Sequence, residues 1–422
     1  MKYNKLMNTK HALLVIILAL VTTCMFVACG DVNSNFDPHF TEDGHLIKDS
    51  TDVSPQTDLS NIKFYVEVSG SMNGFFRANK PTRFKQDVWR ICSYYEPISH
   101  EVAILTNDGD QGTSISMVDF QTKMNTGSFI STASTKVPVM LRSIISNLDT
   151  SRGEVAVLIS DMKYSPVGAS APDVLLTQYS TDVSRILGDF SNPISLICAT
   201  SDYLDRNGHV ITNRSPYYYF IIGNSKTVAK VRDGISTLLG DSSFVDNIES
   251  GFDYGAPKYS FGIPSKCYQL NNEPTFLQYE EPDAIDSCTI KLKVDLTPYR
   301  WLLVNKEIFT NAFNIKALYG STVIVGNIDI VEQNVTDKRL ERTAIATVEL
   351  KVINMATDSD VLEWSLELPD TNHTKLEDFC NAEDEFNYEK SYSIEGFIKG
   401  MFYGSIVNQP LKSNYILVSK KN

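Results

Sequence analysis

The pentapeptide Val155-Ala156-Val157-Leu158-Ile159 decides how the centre of this chain folds. All of its side chains are apolar, which is typical of a strand buried on both faces of a parallel sheet. Strand and helix patterns alternate on either side of it. Strand patterns cover residues 62–68, 102–105, 194–199 and 217–222, and helix patterns cover 83–95, 137–148, 174–187 and 227–239. This alternation predicts an α/β domain over residues 61–240, a doubly wound and mostly parallel sheet with any ligand site at the carboxyl ends of its strands.

Beyond residue 240 the helical alternation gives way to strand patterns. Ile290-Lys291-Leu292-Lys293-Val294 alternates apolar and polar side chains, as a half-exposed antiparallel strand does. Residues 241–422 are therefore predicted to form a β-rich, sandwich-like domain that also contains a C-terminal helix between about 375 and 407. Gly396, Gly400 and Gly404 share one spacing that permits close helix packing, but packing of this helix against a sheet is the expectation for a soluble domain.

The N-terminus has the pattern of an export signal. Lys2, Lys5 and Lys10 precede the apolar run Ala12–Ala28, and a small residue stands directly before Cys29. This arrangement resembles the lipobox of bacterial lipoproteins. The resemblance implies that residues 1–28 are a removed signal peptide and that Cys29 carries acyl chains such as palmitate, which tether the chain to a membrane of the cell envelope. An uncleaved transmembrane anchor is the alternative, and Cys24 is the weaker lipidation candidate.

Residues 29–60 are polar, with many Asp, Ser and Thr and few large apolar side chains. A stretch of this composition cannot bury enough surface to fold, and we expect a flexible tether. The net charge of −13 and the isoelectric point near 5.0 argue against a nucleic-acid partner. The absence of a CxxC pair argues against structural zinc. A disulfide between Cys267 and Cys288 is left open by the sequence.

Polar oxygen-bearing residues follow the predicted strands of the α/β part. The first strand runs into Glu67-Val68-Ser69-Gly70-Ser71, where Gly70 permits a tight turn that points both serine hydroxyls to one side. Thr135 precedes a predicted helix, and Asp161 follows the central strand. Carboxylate and hydroxyl oxygens suit a hard cation such as Mg²⁺.

This pattern resembles the metal-ion-dependent adhesion site of the von Willebrand factor type A domain, a Rossmann-like fold with the order Asp-x-Ser-x-Ser, then Thr, then Asp. The resemblance covers about residues 61–240. It implies hydroxyl ligands from Ser69, Ser71 and Thr135, a direct or water-mediated contact from Asp161, and Mg²⁺ or another divalent cation. Glu67 stands where the family has aspartate, a departure that bears on whether a metal binds. In the family, an acidic group of a partner protein completes the site.

Each element also has an ordinary structural interpretation. Ser-Gly-Ser is a common turn, Thr135 can be a helix N-cap, and Asp161 can simply begin a loop. Asn107-Asp108-Gly109-Asp110 is interpreted as an exposed turn because a terminal calcium-loop glutamate is missing.

The sequence thus predicts a lipid-anchored envelope protein that binds a protein partner and has no enzymatic activity. One alternative is a metal-dependent envelope hydrolase, although no nucleophile, histidine and acid set can be named. The other is a structural domain of the same fold with a degenerate, metal-free site.

Overall fold

The computed structural model describes residues 40–41, 45–47, 58–106, 112–129, 136–164, 172–190, 192–262, 267–269, 275–279, 287–334, 342–355, 358–369, 374–380, 387–404 and 411–420. The predicted signal peptide, Cys29, the predicted turn at residues 107–110 and Thr135 lie outside these residues, as do the side chains of Cys267 and Cys288.

The strands and helices predicted for residues 61–240 each fall close to an observed element, whereas the strand at residues 113–116 and the helix at residues 117–126 were not predicted. The strands are β1 (Asn61–Glu67), β2 (Glu101–Leu105), β3 (Thr113–Ser116), β4 (Glu154–Ser160), β5 (Ile194–Leu204), β6 (Val210–Ile222), β7 (Phe244–Ser250), β8 (Tyr259–Gly262), β9 (Cys267–Gln269), β10 (Phe276–Tyr279), β11 (Ser287–Asp295), β12 (Phe313–Ala317), β13 (Thr322–Asn334), β14 (Arg342–Ile353), β15 (Ser359–Leu366) and β16 (Asn414–Lys420). The helices are α1 (Arg83–Ser99), α2 (Met117–Thr126), α3 (Val137–Ser146), α4 (Pro172–Gly188), α5 (Ser225–Ser243), α6 (Arg300–Leu303), α7 (Lys306–Ala312), α8 (Thr374–Glu377) and α9 (Ile394–Gly404). Within the described residues, no helix is both long and apolar enough to cross a bilayer.

Seven strands form a mixed sheet in the order β3-β2-β1-β4-β6-β5-β7. Only β1 pairs in parallel, with β2 on one side and β4 on the other. The other four pairings are antiparallel, so the prediction of a mostly parallel sheet is wrong. The reason is partly local, because β5 and β6 form a hairpin closed by a turn at Asp205–His209, and two strands joined by a short turn must run antiparallel.

Helices cover both faces of this sheet. One face packs against α1, α2 and α5 in a core that includes Phe64 and Val66 of β1. The opposite face packs against α3, α4 and α9 in a core that includes Tyr65 of the same strand. Successive side chains of a strand point to opposite faces, so the apolar central strands supply both cores at once. The molecule is therefore a mixed α/β protein with helices on either side of its largest sheet.

Helix α9 comes from the C-terminal half of the chain but packs against α4, which covers one face of the seven-stranded sheet. A Cβ added at Gly400 would lie 2.6 Å from the Ser180 carbonyl oxygen, and one at Gly396 would lie 2.9 Å from that of Leu176. The glycines therefore face α4, while the expected packing against a sheet is made by Phe397 of the same helix, whose ring centroid lies 5.4 Å from that of Phe220 in β6. The three glycines allow the two helix backbones to approach closely, because no side chain separates them.

Two further sheets follow, with the orders β12-β15-β16-β10-β9 and β13-β14-β11-β8. Their facing side chains, among them Leu292, Leu350 and Trp364, share one hydrophobic core. Strand β7 begins after residue 240 and still pairs with β5 of the seven-stranded sheet. The division of the chain into domains at residues 240 and 241 stays a prediction.

Candidate functional site at the carboxyl ends of β1 and β4

Glu67 and Ser160 lie side by side at the ends of neighbouring strands. The parallel register pairs Val66 with Ile159, which brings the next residue of each strand together. Strand alternation places Glu67 on the same face as Tyr65, towards α3 and α4. The Ser160 hydroxyl donates a hydrogen bond to the Glu67 carboxylate, and both side chains are fully buried. A carboxylate that leaves water in this way needs donors or a counter-charge nearby.

Ser69 and Ser71 lie where the chain leaves β1. Ser69 has extended backbone, and a 3₁₀ turn follows it over Gly70–Gly74. The two hydroxyl oxygens are 3.0 Å apart, so both side chains lie on one side of the turn. The Tyr203 hydroxyl donates to the Ser71 carbonyl oxygen at 2.7 Å, which ties this turn to β5.

Asp161 follows β4 in a tight turn. Its carboxylate accepts the Lys163 amide at 3.1 Å, while the Ser160 hydroxyl accepts the Met162 amide at 2.8 Å. Met162 has a φ of 56°, in the left-handed region that non-glycine residues seldom adopt. The Tyr179 hydroxyl of α4 donates to the Met162 carbonyl oxygen at 3.1 Å. Helix α4 therefore holds the turn that points Asp161 towards the end of the sheet.

Residues 387–393, which we call the covering segment, lie over this strand end. The Ser391 hydroxyl donates to the Asp161 carbonyl oxygen at 3.4 Å. The Tyr388 ring stacks on Tyr203 with 4.7 Å between ring centroids, and the Lys163 ammonium lies 5.5 Å from the Tyr388 centroid. Asp161, which this segment contacts, is buried, as are Ser69 and Glu67. A segment from the distant C-terminal half thus shields the strand end from solvent.

The pKa values of two neighbouring tyrosines are raised by burial and by the negative charge at this strand end. Burial raises the pKa of the Tyr179 hydroxyl well above its usual range, and the nearby Glu67 and Asp161 carboxylates raise it further. Burial likewise raises the pKa of Tyr203, again with a contribution from Asp161. Both phenols therefore stay protonated at neutral pH and act as hydrogen-bond donors.

The oxygen atoms at this strand end are of the chemical types that a hard cation prefers as ligands. The cluster offers two carboxylates, Glu67 and Asp161, and the hydroxyls of Ser69, Ser71 and Ser160. No three His, Cys, Asp or Glu side chains converge anywhere in the described part of the chain, so hydroxyl oxygens would have to supply the remaining ligands. An all-oxygen set of this composition suits Mg²⁺, which commonly keeps several of its waters.

Four of the five residues predicted from the sequence lie at this strand end; the fifth, Thr135, lies outside the described residues. Ser160 was missed, although strand alternation with Ala156 and Leu158 places it on the same face as Glu67. Tyr203, Tyr388 and Ser391 were also missed. They carry no local signal, because they reach the site only through long-range packing.

Comparison of the chain with protein-family models, with characterised proteins and with solved structures found no match.

Proposed function

We propose that this chain is a lipid-anchored protein of the bacterial envelope that binds a protein partner through a cation site at the end of its largest sheet. The observation that carries the proposal is that two buried carboxylates, Glu67 and Asp161, and three serine hydroxyls lie at the ends of β1 and β4, where Ser160 bonds to Glu67 and Ser69 bonds to Ser71. The resemblance of this cluster to the adhesion site of von Willebrand factor type A domains supports a binding role. Anchoring through Cys29 rests on the lipobox pattern.

Some of these residues would bind the cation directly, and one would orient a ligand. Glu67, Ser69, Ser71 and Asp161 would hold the cation, and Ser160 would orient the Glu67 carboxylate. A bound cation supplies a positive centre that an acidic group of the partner can approach. Two carboxylates buried together repel each other, and a divalent cation between them offsets both that repulsion and their loss of hydration.

Access to the cluster requires movement of the covering segment. Tyr388 and Ser391 occupy the side from which a partner carboxylate would approach. Partner binding should therefore separate the Tyr388 ring from Tyr203. The stack is small and adjoins the surface, so its loss is compatible with an intact sheet.

A metal-free structural cluster is the second candidate. The specific observation in its favour is that the hydroxyls already have partners, since Ser160 bonds to Glu67 and Ser69 bonds to Ser71. In that case the site is a hydrogen-bonded polar cluster that holds the ends of β1 and β4 together, and partner binding would not depend on a cation.

Calorimetry and thermal unfolding of the full chain with Mg²⁺, Mn²⁺ and Ca²⁺ separate these candidates. A cation at a hundredfold excess over its Kd stabilises the folded state by about 2.7 kcal/mol, which raises the Tm measurably. The double substitution Ser69→Ala, Ser71→Ala should remove this increment, whereas Ser114→Ala at an exposed position of β3 should keep it. If no cation binds the parent chain, the cation role fails.

Glu67→Asp tests the departure from the family pattern. A site adapted to glutamate should bind more weakly or change its ion preference when the side chain loses a methylene. A degenerate site should instead gain cation binding.

Recovery of a partner from envelope extracts with and without chelator shows whether partner binding depends on the cation. A partner retained equally under both conditions supports the metal-free candidate.

A further inference from the structure

The outer face of the five-stranded sheet carries apolar side chains that need a cover. Leu362 and Ile416 point into the core between the two sheets. Strand alternation therefore turns their neighbours Val361 and Leu417 outward. These outward side chains are nevertheless only 1% and 0% exposed.

Phe40 is the buried residue at the centre of that cover, with Leu46, Leu318 and Tyr319 packed around it. It is 3% exposed and packs on Val361 and Leu417. It also forms an antiparallel bridge with Leu46, supported by a hydrogen bond of 2.9 Å from the Thr41 amide to the His45 carbonyl oxygen. The expectation that the whole tether buries too little to fold is therefore wrong at this point. We call Phe40, Thr41 and residues 45–46 the docked turn.

We propose that the docked turn sets how far, and in which orientation, the protein stands from the membrane. The inference rests on the proposed lipid anchor at Cys29. Phe40 lies eleven positions after Cys29, and a fully extended chain over those eleven steps spans at most about 40 Å. Without docking, the first described residue held by the fold is Asp58, whose carboxylate pairs with the Lys226 ammonium at 2.6 Å; it lies 29 positions from the anchor, and the limit becomes about 100 Å.

A limit of about 40 Å also restricts orientation. A compact chain of this length has a radius of gyration of about 22 Å. The path over its surface from Phe40 to the opposite side is therefore longer than the segment between Cys29 and Phe40. The half of the molecule that carries Val361 and Leu417 must then face the bilayer. Release of Phe40 would remove this restriction and let the protein turn and reach outward.

Hydrogen exchange on the full chain tests the docking itself. In Phe40→Ala, the amides of Thr41 and His45 should exchange at least tenfold faster than in the parent chain, because the turn loses its only large buried side chain among the described residues. Ile47→Ala is the matched control, since Ile47 lies in the same segment and is 50% exposed. Unchanged exchange at Leu158 in β4 shows that the fold is intact. Equal exchange of Thr41 in Phe40→Ala and in the parent overturns the docking role.

Energy transfer on lipid vesicles tests orientation and reach. A fluorescent residue placed at Asn314, an exposed position of β12 on the outer face of this sheet, donates to acceptors on the lipid headgroups. Transfer should fall by at least half in Phe40→Ala and stay unchanged in Ile47→Ala. Equal transfer in the attached parent and Phe40→Ala overturns the proposal. Failure of the parent chain to attach, with exchange protection of Thr41 intact, refutes the lipid anchor and leaves the docking standing.

Discussion

Glu67 is a buried carboxylate that accepts a hydrogen bond from the neighbouring strand. The Ser160 hydroxyl donates this bond. A hydrogen bond to a charged acceptor is about twice as strong as one between neutral groups. We therefore expect Ser160→Ala to lower the free energy of unfolding of the cation-free protein by about 1–3 kcal/mol, measured by urea denaturation.

Ser195→Ala is the control for this prediction. Ser195 is also a fully buried strand serine, but its hydroxyl donates to the neutral side-chain oxygen of Asn247 at 2.6 Å. Its loss should cost about 0.5–1.5 kcal/mol. Equal losses in the two variants would show that charge on Glu67 adds nothing to the Ser160 hydrogen bond.

At the scale of elements, the contact between α9 and α4 depends on the absence of side chains. A Cβ at Gly400 would meet the Ser180 carbonyl oxygen at 2.6 Å and the Val183 Cβ at 2.7 Å. Alanine favours a helix by about 1 kcal/mol over glycine, but the overpacking at this contact costs about 1–3 kcal/mol. Gly400→Ala should therefore destabilise the protein, as seen by a lower urea midpoint.

Gly188→Ala provides the comparison on the partner helix. The nearest atom to an added Cβ at Gly188 is the Gly404 carbonyl oxygen at 3.9 Å, an ordinary contact distance. This variant should be at least as stable as the parent, because it meets no crowding. If Gly400→Ala is as stable as Gly188→Ala, the two helices can move apart without lowering the free energy of unfolding.

At the scale of the whole molecule, Arg232 joins the α/β part to the sheets that follow. The side chain is fully buried in α5 and forms ion pairs with Asp233 and with Glu249 of β7. It also donates to the Pro298 carbonyl oxygen at 3.0 Å, in the 3₁₀ turn after β11. Burial raises the pKa of Glu249, while the guanidinium of Arg232 opposes that rise.

Arg232→Met should lower the free energy of unfolding by about 3–5 kcal/mol at neutral pH, because it leaves buried carboxylates without their cation. The pKa of Glu249 then rises further in the folded state. A carboxyl with a raised folded pKa contributes stability at low pH and loses it as the pH rises through that pKa. The deficit should accordingly be smaller at about pH 5 than at about pH 8.

Arg185→Met is the control, since the ion pair of Arg185 with Asp182 is exposed and should contribute about 0–1 kcal/mol at either pH. Urea denaturation at both pH values makes the comparison. A deficit of Arg232→Met that does not change with pH would exclude Glu249 as its source.

The sequence by itself determined the local elements. The run Val155–Ile159 and the helical spacing of residues 137–148 correspond to β4 and α3 within a few residues, because hydrophobic periodicity is set by neighbours along the chain. The same local order put Glu67, Ser69, Ser71 and Asp161 at strand ends. Ser160 was within reach of that reasoning, since it follows from strand alternation and register.

Only the tertiary structure decided the long-range contacts. The antiparallel pairing of β4 with β6, the stacking of Tyr388 on Tyr203, and the burial of Phe40 each join residues that lie far apart in sequence. No local pattern distinguishes Gly400 packed on a helix from Gly400 packed on a sheet. The physical reason is that burial depends on which surfaces meet, and periodicity describes only the surface that each segment offers.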